Sequence, residues 1–433
     1  MPFGLRGKGW RATLAFAASL AVGAVSAKAG TPYLVVDADS DQVLLQDQAT
    51  APWYPASLTK LMTVYVALDE VRAGKLTLDT PLVMSARAAR MPPSKMGFRP
   101  GTQVTLDNAL KMLMVKSPND VAVMVAEGVS GSVEAFASEM NADGQRLGLQ
   151  ESHFVNPNGL QDPGHVSSAR DMALIARALL REFPEHADLF SIGALELNNH
   201  YIPNHNGLLG RYPGADGMKT GFTCPEGWNV VASANHYGKR LIVVVLGAPT
   251  ARSRNQEAAN LFDRGFAGGG GSGTLESLPQ GSGAPPNMRA DVCLRRNAAA
   301  IAAAEEDGAE PAQTGAPGSA GRAGLIPTPF AALMTSVAHT ELSDERVRFD
   351  PVHVFIGPAP GWKGPALGAR PTDAAAVSSG DAQGAGVNPP AAPQSAREKP
   401  RRGHIRYAAK PKPQKVIAAK AVKQKTAAGE GDK

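Results

Sequence analysis

The fold is decided by three short motifs that occur in a fixed order, Ser57-Leu58-Thr59-Lys60, Ser117-Pro118-Asn119 and Lys219-Thr220-Gly221. Each motif is common alone, and at average composition a chain of this length contains a Ser-x-x-Lys by chance about once. The ordered set is far rarer. It supplies two serine hydroxyls, two lysines and an asparagine, and this combination predicts acyl transfer through a serine ester.

The first motif opens an apolar helix that we predict over residues 57–71. Ser57 and Lys60 are three positions apart, so their side chains lie on one face of that helix. Ser57 is the candidate nucleophile, and Lys60 can be its base if burial and nearby cations lower the lysine pKa from about 10.4. The backbone N–H of Ser57 can form half of an oxyanion hole. Alone, the pair also fits a capping serine and a surface lysine.

The second motif lies between two predicted helices, where polar side chains can project into a cleft. Ser117 is a candidate to pass a proton to a leaving amine, and Asn119 to hydrogen-bond Lys60 or the substrate backbone. Alone, the motif also fits an ordinary turn at the start of a helix.

The third motif lies in a predicted strand, where Lys219 and Thr220 project to opposite faces and Gly221 lets a ligand approach the backbone. Lys219 would add positive charge to the site, and Thr220 would donate its hydroxyl to a terminal carboxylate. The backbone N–H of Phe222 would complete the oxyanion hole. Alone, the motif also fits a plain strand with a surface lysine.

Apolar residues concentrate in positions 32–266, which predicts one principal folded domain. Strands at both ends of this region must share one sheet, so we predict an α/β (α+β) sandwich with helices covering the sheet. The predicted strands are 33–36, 42–45, 218–223, 229–235 and 240–246, and the predicted helices are 57–71, 106–115, 119–127, 133–147, 169–181 and 252–266.

The first 29 residues have the order of a secretory signal: a basic start, an apolar run over residues 12–25, and Ala27-Lys28-Ala29. The apolar run is too short to span a bilayer comfortably. We therefore predict export to the periplasm or cell envelope with cleavage after Ala29. An uncleaved N-terminal anchor is the alternative.

The composition changes after the predicted catalytic domain, residues 30–266. Residues 267–324 are rich in Gly and Ala and predict a linker. Residues 325–368 contain a candidate strand at 352–356 and are either a small module or a docking peptide.

The last segment, residues 369–433, is a low-complexity tail that we predict to be largely disordered. Between positions 397 and 425 it carries eleven Lys or Arg residues against Glu398 alone. Such a tail either contacts an anionic membrane or wall polymer or remains solvated. Nucleic acid is disfavoured as a partner because the chain is predicted to be exported.

Cys224 and Cys293 are the two cysteines of the chain. In an oxidising compartment they either form a disulfide or remain two unpaired thiols, and the sequence leaves both open. The sequence contains neither a Cys-x-x-Cys nor a His-Glu-x-x-His pattern, so metal-ligand spacing is absent. Acyl transfer through a serine needs no metal or organic cofactor.

Over about residues 31–266 the chain resembles the D-alanyl-D-alanine carboxypeptidases, which are low-molecular-weight penicillin-binding proteins. Besides the three motifs, the resemblance rests on Asn156-Pro157-Asn158-Gly159-Leu160 and Ser167-Ser168-Ala169-Arg170-Asp171-Met172. It implies a β-lactamase/transpeptidase-like fold with a helical subdomain. It also implies that Ser57 attacks the penultimate D-Ala carbonyl of peptidoglycan stem pentapeptides, and that β-lactams acylate the same serine. The carboxylate-binding arginine of the family falls on Arg254.

The chain also departs from this family. Cys224-Pro225-Glu226 occupies a loop where relatives usually have small residues. The C-terminal part shows neither the β-rich second domain nor the amphipathic anchor helix that many members carry.

Three other functions remain open at this stage. A D,D-endopeptidase would use the same residues on cross-linked peptidoglycan. A β-lactamase would need a deacylating glutamate, for which Glu151 is a candidate that lacks the expected Leu-Asn context. A wall-binding scaffold would keep the fold without turnover.

Overall fold

The structure, a computed structural model, describes residues 31–268, 270–271, 273–293, 339–343, 345 and 347–370. The predicted signal peptide, all of residues 294–338 and all but the first two residues of the basic tail lie outside these residues. In chain order the elements are β1 (Tyr33–Asp37), β2 (Val43–Asp47), a 3₁₀ turn (Ala56–Leu58), α1 (Thr59–Arg72), β3 (Pro81–Val83), α2 (Ala86–Ala89), β4 (Gln103–Thr105), α3 (Leu106–Val115), α4 (Asn119–Ser130), α5 (Val133–Arg146), α6 (Ala169–Glu182), a 3₁₀ helix (Pro184–Ser191), β5 (Ala194–Leu197), β6 (His200–Pro203), β7 (Ala215–Thr223), β8 (Gly227–His236), β9 (Lys239–Ala248), α7 (Ala251–Phe266), a 3₁₀ turn (Leu275–Ser277), α8 (Arg289–Val292) and β10 (Val352–His353).

An antiparallel sheet of five strands, in the order β2-β1-β9-β8-β7, forms the centre of the domain. β1 pairs with β9 from the opposite end of the domain, with Tyr33 opposite Val245. The prediction that strands far apart in the sequence share one sheet is therefore confirmed. β8 and β9 are almost entirely buried, since helices cover both faces of the sheet.

Alternate side chains of β9 enter two separate cores, because successive residues of a strand point to opposite faces. One face packs against α6 and the helices beyond it, and the other packs against α7. The first set is Ile242, Val244 and Leu246, and the second is Leu241, Val243 and Val245.

Helix α1 lies in the middle of the helical layer and packs against α3, α4, α5 and α6. Its residues from Thr59 to Leu68 are all buried. Side-chain caps start the surrounding helices: Thr105 accepts from Asn108 N in α3, Ser132 from Ala135 N in α5 and Ser168 from Asp171 N in α6. Together with the short β3–β4 hairpin, α2 to α5 form the helical subdomain that the resemblance implies.

Among the described residues, no single helix has both the length and the apolar character needed to cross a membrane. The helices α4 and α5 meet that criterion only as a pair, which is bent by 81°.

The described part of the predicted linker packs against the domain. Gly273 O accepts from Val43 N at 2.9 Å, and Leu275 O accepts from Arg170 Nε at 2.8 Å. These hydrogen bonds hold residues 273–281 beside β2 and α6, although the Gly-rich composition predicts flexibility there.

Residues 347–370 also lie along the domain. Only Val352–His353 of the strand predicted at 352–356 pairs as β10, parallel to β5. The chain then passes β4, where Gly357 N donates to Gln103 O at 2.7 Å. It ends beside β3, where Val83 N donates to Leu367 O at 2.8 Å.

Candidate active site

Ser57 lies in the 3₁₀ turn that leads into α1, at the wall of an open cleft. Leu58 is fully buried, so the turn is anchored in the core on the side away from the cleft. The cleft runs between the helical subdomain and the edge strand β7 of the sheet. It is lined by Ser57, Pro93, Ser94, Ser117, Asn119, Asn158, Gly159, Leu160, His205, Thr220, Gly221, Phe222, Thr223, Trp228, Ala251 and Arg254.

Lys60 is fully buried one turn after Ser57. Its Nζ donates to Ser57 Oγ at 2.9 Å, to Asn119 Oδ1 at 2.9 Å and to the carbonyl oxygen of Asn158 at 2.7 Å. An ammonium group has three protons to donate, so these three acceptors fix its position. The amine is thus held within proton-transfer distance of the serine hydroxyl.

The loop that supplies the Asn158 carbonyl packs tightly on the serine turn. Gly159 has φ of +79°, and a Cβ there would lie 1.8 Å from Ala56 O, so only glycine fits this position. Thr63 Oγ1 secures the loop further by donating to Pro157 O at 2.6 Å. The sequence analysis did not assign Asn158 to the site, because a backbone carbonyl leaves no signature in residue type. The neighbouring glycine was the available signal.

His165 links the residues just before this loop to the start of α1. Its Nδ1 accepts from Val155 N at 3.1 Å, so its Nε2 carries the proton and donates to Thr59 Oγ1 at 2.8 Å. Burial lowers the pKa of His165 to about 4, and the positive charge of Lys60 acts in the same direction. The ring is therefore neutral near pH 7, and it holds Thr59, which lies between Ser57 and Lys60 in the sequence.

Ser117 lies between α3 and α4, and Asn119 is the first residue of α4. Ser117 has φ of 62°, in the left-handed region that a serine rarely adopts. Its hydroxyl lines the cleft, is buried, and has no hydrogen-bond partner among the described residues. Asn119 Nδ2 donates to the carbonyl oxygens of Pro92 and Pro93, at 3.1 and 3.0 Å, which directs its Oδ1 toward Lys60.

The third motif lies in the middle of β7, so the edge strand forms the opposite wall. Lys219 is buried and its Nζ donates to Thr220 O at 2.7 Å. A Cβ on Gly221 would lie 3.0 Å from Ser57 N, so the strand and the serine turn are in contact there. Phe222 lines the cleft and stacks on Trp228, with ring centroids 4.1 Å apart.

Arg254 lies in the first turns of α7, which a Thr250–Ser253 capping box starts. Its Nε and Nη2 both donate to Asn255 Oδ1, at 3.1 and 2.9 Å. The guanidinium lies 5.7 Å from the Trp228 ring centroid, and Arg254, Trp228 and Thr220 all line the cleft. The nine site residues proposed from the sequence are thus close together, and Asn255 is an addition that no motif indicated.

The loop between β7 and β8 is tied by a disulfide between Cys224 and Cys293, which are 69 residues apart. This is one of the two alternatives that the sequence left open. Two hydrogen bonds hold the same loop, from Met288 N to Pro225 O at 2.8 Å and from Trp53 Nε1 to Glu226 O at 3.0 Å.

Glu151 does not line the cleft. Its carboxylate accepts from Ser168 Oγ at 3.1 Å, at the start of α6, and from Gly281 N at 2.9 Å. It is therefore not placed to activate a deacylating water beside Ser57. In the described part of the chain, no cluster of three or more His, Cys, Asp or Glu side chains is suited to a metal ion.

The fold and the serine–lysine centre place the chain among proteins of the penicillin-binding class. It is similar to the crystal structure of penicillin binding protein 5 from Haemophilus influenzae, with a TM-score of 0.53 and 38% identity over 55% of this chain and 71% of that one. It is also similar to penicillin-binding protein D2 from Listeria monocytogenes in its ampicillin-bound form, with a TM-score of 0.50 and 28% identity over 54% of this chain and 96% of that one. The predicted fold class is confirmed.

The chain belongs to the D-alanyl-D-alanine carboxypeptidase family, whose model matches residues 17–250. The resemblance noted in the sequence is therefore confirmed. One curated relative is the D-alanyl-D-alanine carboxypeptidase DacA of Haemophilus influenzae, 39% identical over 241 residues. The match covers 54% of this chain and 61% of that relative, so the chain spans less than two thirds of the relative's length.

Proposed function

We propose that this chain is a serine-type D-Ala-D-Ala carboxypeptidase that removes the terminal D-Ala from peptidoglycan stem pentapeptides. The observation that carries the proposal is the 2.9 Å contact between Lys60 Nζ and Ser57 Oγ in a cleft that Arg254 also lines. A nucleophile with its base and a cation in the same cleft fit a substrate that ends in a carboxylate one residue beyond the scissile bond.

In the proposed acylation step, Ser57 Oγ forms a bond to the penultimate D-Ala carbonyl carbon while the Lys60 amine takes the serine proton. The backbone N–H groups of Ser57 and Phe222 stabilise the resulting oxyanion, and the contact at Gly221 keeps these two donors close. The carbon–nitrogen bond then breaks. The proton that Lys60 took from Ser57 passes through the buried Ser117 hydroxyl to the leaving amine, which returns Lys60 to its neutral form.

The remaining groups orient the substrate. Thr220 and Arg254 bind the terminal carboxylate, and Lys219 adds positive charge beside them. Asn119 keeps the Lys60 amine aimed at Ser57. In deacylation, water attacks the Ser57 ester, Lys60 takes a water proton, and the serine hydroxyl is restored. β-Lactams acylate the same serine, in line with the ampicillin-bound state of the similar Listeria protein.

The proposed location follows from the proposed substrate. Peptidoglycan lies outside the cytoplasm, so the protein acts in the periplasm or cell envelope after export. The basic tail, residues 369–433, is proposed to contact an anionic membrane or wall surface.

The test is mass spectrometry of the products after the full chain is incubated with peptidoglycan containing pentapeptides and cross-links. Loss of one D-Ala from pentapeptides with the wild type, and not with Ser57→Ala, is the expected result. Unchanged pentapeptides would contradict the proposal. Opened cross-links would then point to an endopeptidase, and an unchanged polymer to a binding protein.

A further inference from the structure

A short segment outside the matched family region joins two elements that line the cleft. The segment consists of residues 339–343 and 347–349, and we call it the clasp. One element is α7, which carries Arg254, and the other is the loop of residues 204–211, which carries His205. The family model ends at residue 250, so neither the clasp nor Arg254 lies within its match.

The clasp is hydrogen-bonded to α7 at its first residues. Thr340 N and Oγ1 both donate to the Asp263 carboxylate, and Thr340 O accepts from Gln256 Nε2 at 2.8 Å. Leu342 N donates to Gln256 Oε1 at 3.2 Å, so both ends of this amide are engaged. Gln256 is two residues from Arg254, and the clasp therefore constrains the turn of α7 that holds the arginine.

The clasp continues onto the loop of residues 204–211. Ser343 O accepts from Arg211 Nη1 at 3.1 Å. The Phe349 ring lies in a notch formed by two glycines: a Cβ would lie 2.1 Å from it at Gly193 and 2.9 Å at Gly210. A side chain at either position would displace the ring, so the two glycines leave the space that the Phe349 ring fills.

The loop transmits this contact to the arginine. A Cβ on Gly207 would lie 2.1 Å from Arg211 Nη2 and 2.3 Å from Asn255 Nδ2, so both side chains pack directly on the loop backbone. Asn255 Oδ1 in turn accepts hydrogen bonds from both Nε and Nη2 of Arg254. Phe349, the loop, Asn255 and Arg254 thus form one continuous series of packed groups.

We propose that the clasp fixes the position of Arg254, so that recognition of a substrate carboxylate in this chain depends on Phe349. This inference rests on the proposed function. In it, Phe349 is a positioning residue that does not touch substrate. Displacing the ring would let the loop and Asn255 shift and would misdirect the guanidinium, and a misplacement of about 1 Å can cost about 100-fold in rate.

The experiment compares the second-order rates at which the full chain is acylated by benzylpenicillin and by its methyl ester. The ratio of the two rates isolates recognition of the carboxylate. Any loss of folded protein cancels in it, since both rates are measured on one preparation. The variants are Phe349→Ala, the conservative Phe349→Leu, and Ile356→Ala as the matched control. Ile356 follows Phe349 on the same C-terminal stretch and is 43% exposed.

We expect Phe349→Ala to lower the ratio of the acylation rate with benzylpenicillin to that with its methyl ester about tenfold. The substitution should slow acylation by benzylpenicillin alone, since it weakens the charge-assisted hydrogen bond between Arg254 and the carboxylate. Phe349→Leu and Ile356→Ala should keep the wild-type ratio. A wild-type ratio in Phe349→Ala would overturn the role of the clasp and leave the proposed function intact. Failure of both compounds to acylate the wild type would overturn the proposed function and the clasp with it.

Discussion

Removal of the Cys224–Cys293 disulfide should lower stability by an amount that follows from the length of chain it closes. The two cysteines are 69 residues apart, and the chain-entropy relation gives about 4 kcal/mol for a loop of this size. The bond joins the β7–β8 loop to the residue after α8, so its loss removes the covalent link between that loop and the segment that follows α7. The two hydrogen bonds at Pro225 and Glu226 remain in the variant. Acylation at 25 °C should therefore stay close to the wild-type rate.

The assay is equilibrium urea unfolding of the full chain, with the double variant Cys224→Ala/Cys293→Ala beside the wild type. Alanine is a better replacement than a polar residue because Cys293 is buried beside Val292 in the second core. Reductant should destabilise the wild type by about the same amount as the double substitution and leave the variant unchanged. A loss below about 1 kcal/mol, or an equal effect of reductant on both proteins, would refute the loop-closure reasoning.

Three further predictions concern residues around the nucleophile. His165 has a folded pKa of about 4 and an ordinary unfolded value near 6.5, so stability should be full above pH 6.5 and should fall by about 3 kcal/mol as the pH drops to 4. The free energy of unfolding, measured with urea across this pH range, should change less with pH in His165→Gln than in the wild type. An equal pH dependence in both proteins would contradict the assignment. Gly221→Ala should slow β-lactam acylation about 100-fold, because its Cβ would press on Ser57 N. Gly270→Ala, where a Cβ meets nothing within 4 Å, should have no effect, and comparable losses in both would refute the contact. Ser117→Ala should lower D-Ala release about 100-fold or more, with the free energy of unfolding unchanged or up to about 1 kcal/mol higher, because it removes a buried hydroxyl that has no partner in the described part of the chain. Unimpaired release would contradict the proton-transfer role.

The sequence predicted the parts of the fold that depend on local pattern and on side-chain type. Apolar periodicity marked the helices and the sheet strands, and the order of the elements predicted that strands far apart in the sequence share one sheet, although it did not specify that β1 pairs with β9. Reactive side chains at fixed spacing marked Ser57, Lys60 and Asn119, and in the structure Ser57 Oγ and Asn119 Oδ1 each lie 2.9 Å from Lys60 Nζ.

The remaining features depend on contacts that residue type does not record. The Asn158 carbonyl is a backbone group, and its position depends on how the loop packs on Ala56. The choice between a disulfide and two thiols depended on whether the chain after α7 folds back. The clasp lies within residues 325–368, for which the sequence left a small module and a docking peptide open, and its docking depends on a notch formed by two glycines far away in the sequence.

The central claim is that Ser57, activated by Lys60, carries the acyl group. Its most direct test is the intact mass of the full chain after incubation with benzylpenicillin, followed by peptide mapping of the adduct. The account predicts one penicilloyl group on the wild type, located on the peptide that contains Ser57, and none on Ser57→Ala. An adduct on any other residue, or an adduct retained in Ser57→Ala, would contradict it.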